Sequence, residues 1–304
     1  MDARLSRRQF LLGAAATAGA VGISACAKGS AVIKVPNGNS GASNLSLLVT
    51  SGAVDGASDQ SVSVFEAGMP QRVALVLAGA NGFLSPAPGT ATLQFGADEK
   101  HWGADVPVTA HADTGASATT YLVAEHQWAT PGTFWLRSTY QGQTADSPVV
   151  VINRSQAKIP YAGQKMISTP TPTVSDALGV NPICTRSPMC PFHGQSLDAV
   201  MQQHLPIALV FATPALCETA TCGPVLDTVV AAAPAFAGKI NFVHSEIFVG
   251  LSRNDPNTPA VLAYHLQSEP VMFLADATGT VVERIDGLFG KAEVTAALSR
   301  LAAA

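Results

Sequence analysis

Residues 205–226, LPIALVFATPALCETATCGPVL, constrain the fold more than any other stretch of the 304-residue chain. Pro206 leads into an apolar, partly β-branched run, Ile207–Phe211, that reads as a buried strand. Thr213-Pro214 ends the run, and Cys217 and Cys222 follow with four residues between them. Gly223-Pro224 then opens a helical pattern with Val225, Leu226, Val229 and Val230 on one face. A strand that delivers cysteines to a helix N-terminus is how a reactive thiol pair is built. The helix dipole and its free N–H groups favour thiolate over thiol, and the thiolate is the nucleophile. In a regular helix a five-residue step puts the two cysteines on different faces. A bond between them therefore requires a loop or a first helical turn.

The N-terminus reads as a targeting segment. Arg4 and the pair Arg7-Arg8, in Ser6-Arg7-Arg8-Gln9-Phe10-Leu11, precede a short apolar stretch at 11–23, the pattern of a twin-arginine export signal. That stretch is too short and too rich in Ala and Gly for a stable membrane span. Ile23-Ser24-Ala25-Cys26 resembles a lipobox, in which Cys26 becomes the lipidated first residue of the mature protein. The expected location is extracytoplasmic, anchored to the cell membrane as a lipoprotein; a plain signal peptide with an incidental cysteine is the alternative. Charged residues make up 12% of the chain and the net charge is −4, without a basic run, so nucleic acid is not an expected partner. Apart from Cys26 the cysteines are Cys184, Cys190, Cys217 and Cys222, an even number suited to an oxidising compartment. Four cysteines allow three pairings, and spacing favours 184–190 and 217–222. Twin-arginine substrates cross the membrane folded, so paired cysteines should already be neighbours in the reduced fold.

The expected organisation is a signal at 1–26, a Gly/Ser/Asn-rich tether at 27–43, an all-β unit at 44–153, a Pro/Thr linker at 154–179 and an α/β unit at 180–304. In the first unit, strands are expected at 45–51, 61–65, 71–77, 91–95, 106–112, 119–125, 133–140 and 149–152, alternating and separated by turn residues. Pro131 to Leu136, followed by Tyr140-Gln141-Gly142-Gln143, looks like the last hairpin of an immunoglobulin-like sandwich. The second unit reads as a cysteine-bearing loop (184–193), helix (196–204), strand, cysteine loop, helix (223–236), strand (240–244), helix (258–266), strand (271–274), turn (276–279), strand (280–285) and helix (291–301). That order predicts a mixed sheet with helices on both faces.

Residues 196–301 resemble the thioredoxin-like superfamily. The resemblance rests on the strand before the cysteines, Cys222-Gly223-Pro224, the Glu269-Pro270 junction before the third strand, the Asp276 to Gly279 hairpin, and Gly287. It implies a cis proline at Pro270, lying against the reactive thiol and shaping the substrate groove. Three features depart from the family pattern: the cysteine spacing, the absence of the tryptophan usual before the motif, and the charge of Glu269. The family has two residues between its cysteines, and Val225 stands where its second cysteine would be. Alignment on the motif nominates Cys222 as nucleophile, and distance from the strand nominates Cys217. Glu269 beside the proline should raise a nearby thiol pKa if its carboxylate is close.

The leading reading is a membrane-anchored thiol–disulfide oxidoreductase acting through Cys217, Cys222 and Pro270 without a cofactor. Its expected partners are exported proteins with thiols or disulfides, or a membrane electron donor. The alternatives are a redox-inert binding lipoprotein with structural disulfides, a copper-handling thioredoxin-like protein, and a peroxidase, for which Glu218 after Cys217 is a faint sign. For the second cysteine pair, Cys184 and Cys190, the readings are a structural disulfide anchoring the linker, a second redox pair, or a soft-metal site with His193. His244 and Glu246 end a strand at a position that is often polar in the family, and His265 lies five residues before Pro270.

Overall fold

A computed structural model of the chain describes residues 45–52, 62–86, 89–112, 120–217 and 221–303. The export signal, Cys26 and the tether lie outside the described residues. The fold is mostly β-sheet with few, short helices. Among the described residues no helix is long and apolar enough to cross a membrane.

The first half contributes β1 (Ser46–Val49), β2 (Ser63–Glu66), β3 (Gln71–Gly79), β4 (Gly82–Phe83), β5 (Ala91–Gly96), β6 (Thr109–His111), β7 (Tyr121–His126), β8 (Gly132–Tyr140) and β9 (Gln143–Ile152). They form two sheets, β1-β3-β7-β6 with β4 on β3, and β2-β9-β8-β5. One core fills the space between them, with Leu75, Leu77 and Leu122 from the first sheet and Leu93, Leu136 and Val149 from the second. The β8–β9 hairpin closes on the two-residue turn Gln141-Gly142, whose φ angles of 50° and 74° give the strand twist that such tight turns require. The strand expected at 106–112 shrinks to β6 because Pro107 has no N–H for the ladder. The strand expected at 149–152 begins at Gln143, pairing with the whole of β8.

The second half contributes a mixed sheet of β10 (Ile207–Phe211), β11 (Asn241–Ser245), β12 (Val271–Ala275) and β13 (Val281–Asp286), in the order β11-β10-β12-β13. β11 runs parallel to β10, and β12 and β13 are antiparallel additions. Four helices flank it: α1 (Leu197–Val200), α2 (Cys222–Ala232), α3 (Pro259–Ala263) and α4 (Lys291–Ala303). The period-2 geometry of β10 explains its unbroken apolar run. Ala208 and Val210 pack on one face with α2 and α4, while Ile207, Leu209 and Phe211 pack on the other with α1 and α3.

Several helices are shorter than their apolar patterns suggest. α1 passes into a 3₁₀ turn at Met201–Gln203 and stops at His204, which is left-handed with φ 53°. α3 likewise ends before left-handed His265. α2 tightens into a 3₁₀ turn at Ala233–Phe236, because Pro234 cannot donate the next helical hydrogen bond.

The two halves share a core. β3 is buried on both faces: Val73, Leu75 and Leu77 point into the sandwich, while Ala74 and Val76 join Tyr121, Leu288, Phe289 and Val294 against the second half. Charged groups tie the same seam. Arg72 makes a forked pair with Glu293 on α4, at 2.7 and 2.8 Å, and donates to the carbonyl oxygens of Asp286 and Leu288. The Tyr121 hydroxyl donates to Glu293 and accepts the Gly290 N–H at 2.7 Å. Gly287, at φ 74°, passes so close to the first half that a Cβ there would lie 1.6 Å from the Thr50 carbonyl oxygen. The segment expected to be an extended linker, 154–179, instead packs along the second half. Ile159 and Met166 are buried in its core, and the Met166 N–H bonds the Gly279 carbonyl.

Candidate functional site

β10 and β11 run parallel, so their C-terminal ends open on the same edge, and the chemistry-bearing residues collect there. From β10 the chain turns through Ala212 and Thr213 to Cys217, and re-enters regular structure at Cys222, the first residue of α2. Cys217 and Cys222 are joined by a disulfide across a Cα–Cα distance of 6.0 Å. The helix N-terminus supplies the irregularity that this spacing needs: Cys217 lies before the helix and Cys222 begins it. Cys222 is completely buried, whereas Cys217 is partly exposed. The Cys222 N–H, one of the first-turn donors without a helical partner, points at Cys217 Sγ at 3.3 Å. Such a donor at the positive end of α2 stabilises a thiolate on Cys217.

The cysteine loop is held from three sides. The Thr213 N–H donates to Glu269, and the Thr213 hydroxyl accepts the Ile247 N–H at 2.7 Å. Arg253 Nε donates to the Leu216 carbonyl at 2.7 Å, and the Ala215 N–H donates to Thr185 Oγ1 at 3.1 Å. The Glu269–Pro270 peptide is cis. Beside Pro270 lies a cavity of about 40 Å³, lined by Thr221, Glu269 and Leu288 from the second half and by Val49, Thr50 and Ser63 from the first. It has room for a few water molecules.

A Glu269 carboxylate oxygen lies within 4.8 Å of both Cys217 Sγ and Cys222 Sγ. Burial pushes its carboxyl up to about 8, with Glu246 adding to the rise and the Thr213 N–H and Arg253 opposing it. Glu269 is therefore mostly protonated at neutral pH and does not repel a thiolate as an ionised neighbour would. The shift also has a stability consequence. An unfolded glutamate titrates at about 4.3. Between that value and about 8 the folded protein keeps a proton that the unfolded chain releases, so its stability falls as pH rises through this window. Glu269→Gln removes this share of the slope, leaving the same-signed shares of Glu66 and Glu246, whose carboxyls burial also raises. Urea midpoints measured at about pH 5 and pH 8 for both proteins check this; parallel slopes would contradict it.

Cys184 and Cys190, the pair that spacing favoured as a disulfide, are both free and buried. Their loop carries them to the end of β11, where the sulfurs meet His244: Cys190 Sγ lies 3.4 Å and Cys184 Sγ 3.8 Å from His244 Nδ1. His193 Nε2 is 3.0 Å from the same nitrogen. The hydrogen bond from the Cys190 thiol, helped by His193 and His244, holds Cys184 well below the usual thiol range. That bond and burial push Cys190 up. The soft-donor grouping suggested by Cys184, Cys190 and His193 is thus present, and it is completed by His244. His244 comes from a strand end 51 residues beyond His193, so only the topology of the sheet brings it in. The same loop braces the disulfide loop through Thr185, whose N–H donates to Glu246 at 2.6 Å and whose hydroxyl accepts from Ala215. Arg186, in the same loop, pairs with Asp227 on α2 at 2.6 Å.

No family model matches the chain, and no curated protein matches it. Among solved structures it is similar to a thiol:disulfide interchange protein of the thioredoxin family from Chlorobium tepidum TLS. The two are 15% identical over 45% of this chain and 99% of that one, with a TM-score of 0.29. It is also similar to titin M4 (10% identity, 30% of this chain and 85% of that one, TM-score 0.19). A third similarity is to domains 4 and 5 of the S-layer protein SbsC (14% identity, 35% and 51%, TM-score 0.19).

Proposed function

We propose that the chain is a thiol–disulfide oxidoreductase whose second half is a thioredoxin-like module carried on an immunoglobulin-like sandwich. The observation that carries this reading is the Cys217–Cys222 disulfide at the N-terminus of α2, with one sulfur partly exposed, the other buried and a protonated carboxyl beside them. The order β11-β10-β12-β13, with helices on both faces and a cis proline opening β12, supports the thioredoxin-like assignment.

In the reduced protein, the Cys217 thiolate attacks one sulfur of a substrate disulfide. A Cys217–substrate disulfide forms, and the departing substrate thiolate takes a proton, for which Glu269 is a nearby source. Cys222 then loses its proton to the ionised Glu269, attacks Cys217 Sγ and expels the second substrate thiolate, which takes from solvent the proton that Cys217 released on ionising. Two electrons and two protons pass from the dithiol to the substrate, and running the steps backwards oxidises a substrate dithiol. Substrate approaches from the Cys217 side, since Cys217 is the partly exposed member of the pair. The twin-arginine pattern and Cys26 place this chemistry, in our reading, on a lipid-anchored protein outside the cytoplasm, acting on exported proteins or on a membrane electron donor. The test is catalysed reduction of a disulfide-bonded protein by dithiothreitol, followed with the full mature chain. A rate equal to that of dithiothreitol alone would overturn the proposal.

A further inference from the structure

We propose that Cys184, Cys190, His193 and His244 form a closed tetrahedral Zn²⁺ site that locks the 184–193 loop onto the end of β11. All four side chains are buried, and one ligand atom from each lies within 4.8 Å of the others. Metal–sulfur bonds of about 2.3 Å and metal–nitrogen bonds of about 2.0–2.1 Å set donor separations in a tetrahedron. By trigonometry these are about 3.6 Å for sulfur to nitrogen and about 3.4 Å for nitrogen to nitrogen. The separations here, 3.4 and 3.8 Å from the two sulfurs to His244 Nδ1 and 3.0 Å for the nitrogen pair, fall within about 0.4 Å of those values.

The histidine tautomers point the same way. His193 Nδ1 faces the Pro172 carbonyl at 3.2 Å, and His244 Nε2 faces the Ala212 carbonyl at 2.8 Å. A carbonyl oxygen only accepts, so each of those ring nitrogens carries the proton. In the neutral rings the remaining nitrogens, His193 Nε2 and His244 Nδ1, then face each other with bare lone pairs at 3.0 Å. A cation between them resolves the contact. A shared proton would serve the two nitrogens alone, whereas a metal ion uses all four donors. Backbone carbonyls orienting both rings are the outer support that ligating histidines ordinarily have. A tetrahedral set of two sulfurs and two nitrogens selects zinc over hard cations, and four buried protein ligands leave no open position, as in structural sites. The loop so fixed braces the redox loop through Thr185 and Ala215, and its two thiolates are withheld from exchange with Cys217–Cys222.

The experiment is metal analysis of the mature chain purified without chelators, followed by replacement with Co²⁺. The expected result is one zinc per chain, and a Co²⁺ derivative with the intense visible bands of tetrahedral coordination and a thiolate charge-transfer band. Cys190→Ser and His244→Ala should weaken zinc binding by more than about 100-fold, since they remove ligands outright rather than their outer supports. A Cys217→Ser, Cys222→Ser double variant should keep both the zinc and the Co²⁺ spectrum. Zinc at background level, a weak six-coordinate Co²⁺ spectrum, copper retained in zinc's place, or a Cys184–Cys190 disulfide recovered from the native protein would each overturn the proposal. The wild-type Co²⁺ spectrum decides the matter even if a ligand variant fails to fold.

Discussion

Cys217→Ser is expected to lower disulfide exchange by at least about 10³-fold, to the rate of dithiothreitol alone, because it removes the attacking atom itself. The sequence leaves two candidates for that atom, and burial separates them. Cys217 is partly exposed and accepts the Cys222 N–H, while Cys222 has no exposed surface from which to meet a substrate. Cys222→Ser should accordingly stop turnover at a different step. The first attack still occurs, and a substrate adduct accumulates on Cys217, visible as an added mass that dithiothreitol removes. An adduct on Cys222 in the Cys217→Ser protein would reverse the roles. Unchanged turnover in both variants would remove the disulfide from the chemistry altogether.

The largest expected stability effect lies away from the disulfide, at Arg284 on β13. Its guanidinium is almost entirely buried where the two halves meet. It donates to Asp286 Oδ2 at 3.0 Å, to Glu66 Oε1 at 3.3 Å and to the Pro160 carbonyl at 3.2 Å. The side chains of Glu66 and Asp286 are themselves only 3% and 10% exposed. Arg284→Met leaves two carboxyl groups facing each other in a poorly solvated seam. Breaking a buried pair from one side costs about 3–5 kcal/mol. Burial already raises the Glu66 carboxyl, so the variant, having lost the opposing guanidinium, should bind a proton there more readily and recover part of the loss as pH falls. Urea unfolding of the two proteins measures the effect. A loss below about 1 kcal/mol, the range of exposed ion pairs, would mean that the halves are not held by this cluster.

Much of the α/β unit was legible in the sequence because its signals are local. Ile207–Phe211 is apolar throughout because both faces of β10 are covered, and it forms a strand over those five residues. α4 shows its buried face in Val294, Leu298 and Leu301 at spacings of four and three, joined by Ala297. What sequence could not show depends on long-range meetings. β3 reads as one more half-buried strand, yet its run from Val73 to Ala78 is buried on both faces because the second half lies against it. The residues of 154–179 read as a spacer because Pro and Thr resist regular structure, but Ile159 and Met166 join a core whose other buried members begin at Leu197. At the site, the cysteine spacing favoured the Cys217–Cys222 bond that the fold contains. It misled for Cys184 and Cys190, since a six-residue interval says nothing of a histidine on β11.

The most direct measurement is an equilibrium redox titration of the mature chain against graded glutathione or dithiothreitol buffers, with thiol labelling and mass mapping. The expected result is a single two-electron transition of the Cys217–Cys222 pair between about −120 and −270 mV, the span of known dithiol catalysts. Cys184 and Cys190 should remain reduced throughout. A Cys217–Cys222 bond that survives until below about −300 mV would behave as a structural staple and contradict the exchange chemistry proposed for it.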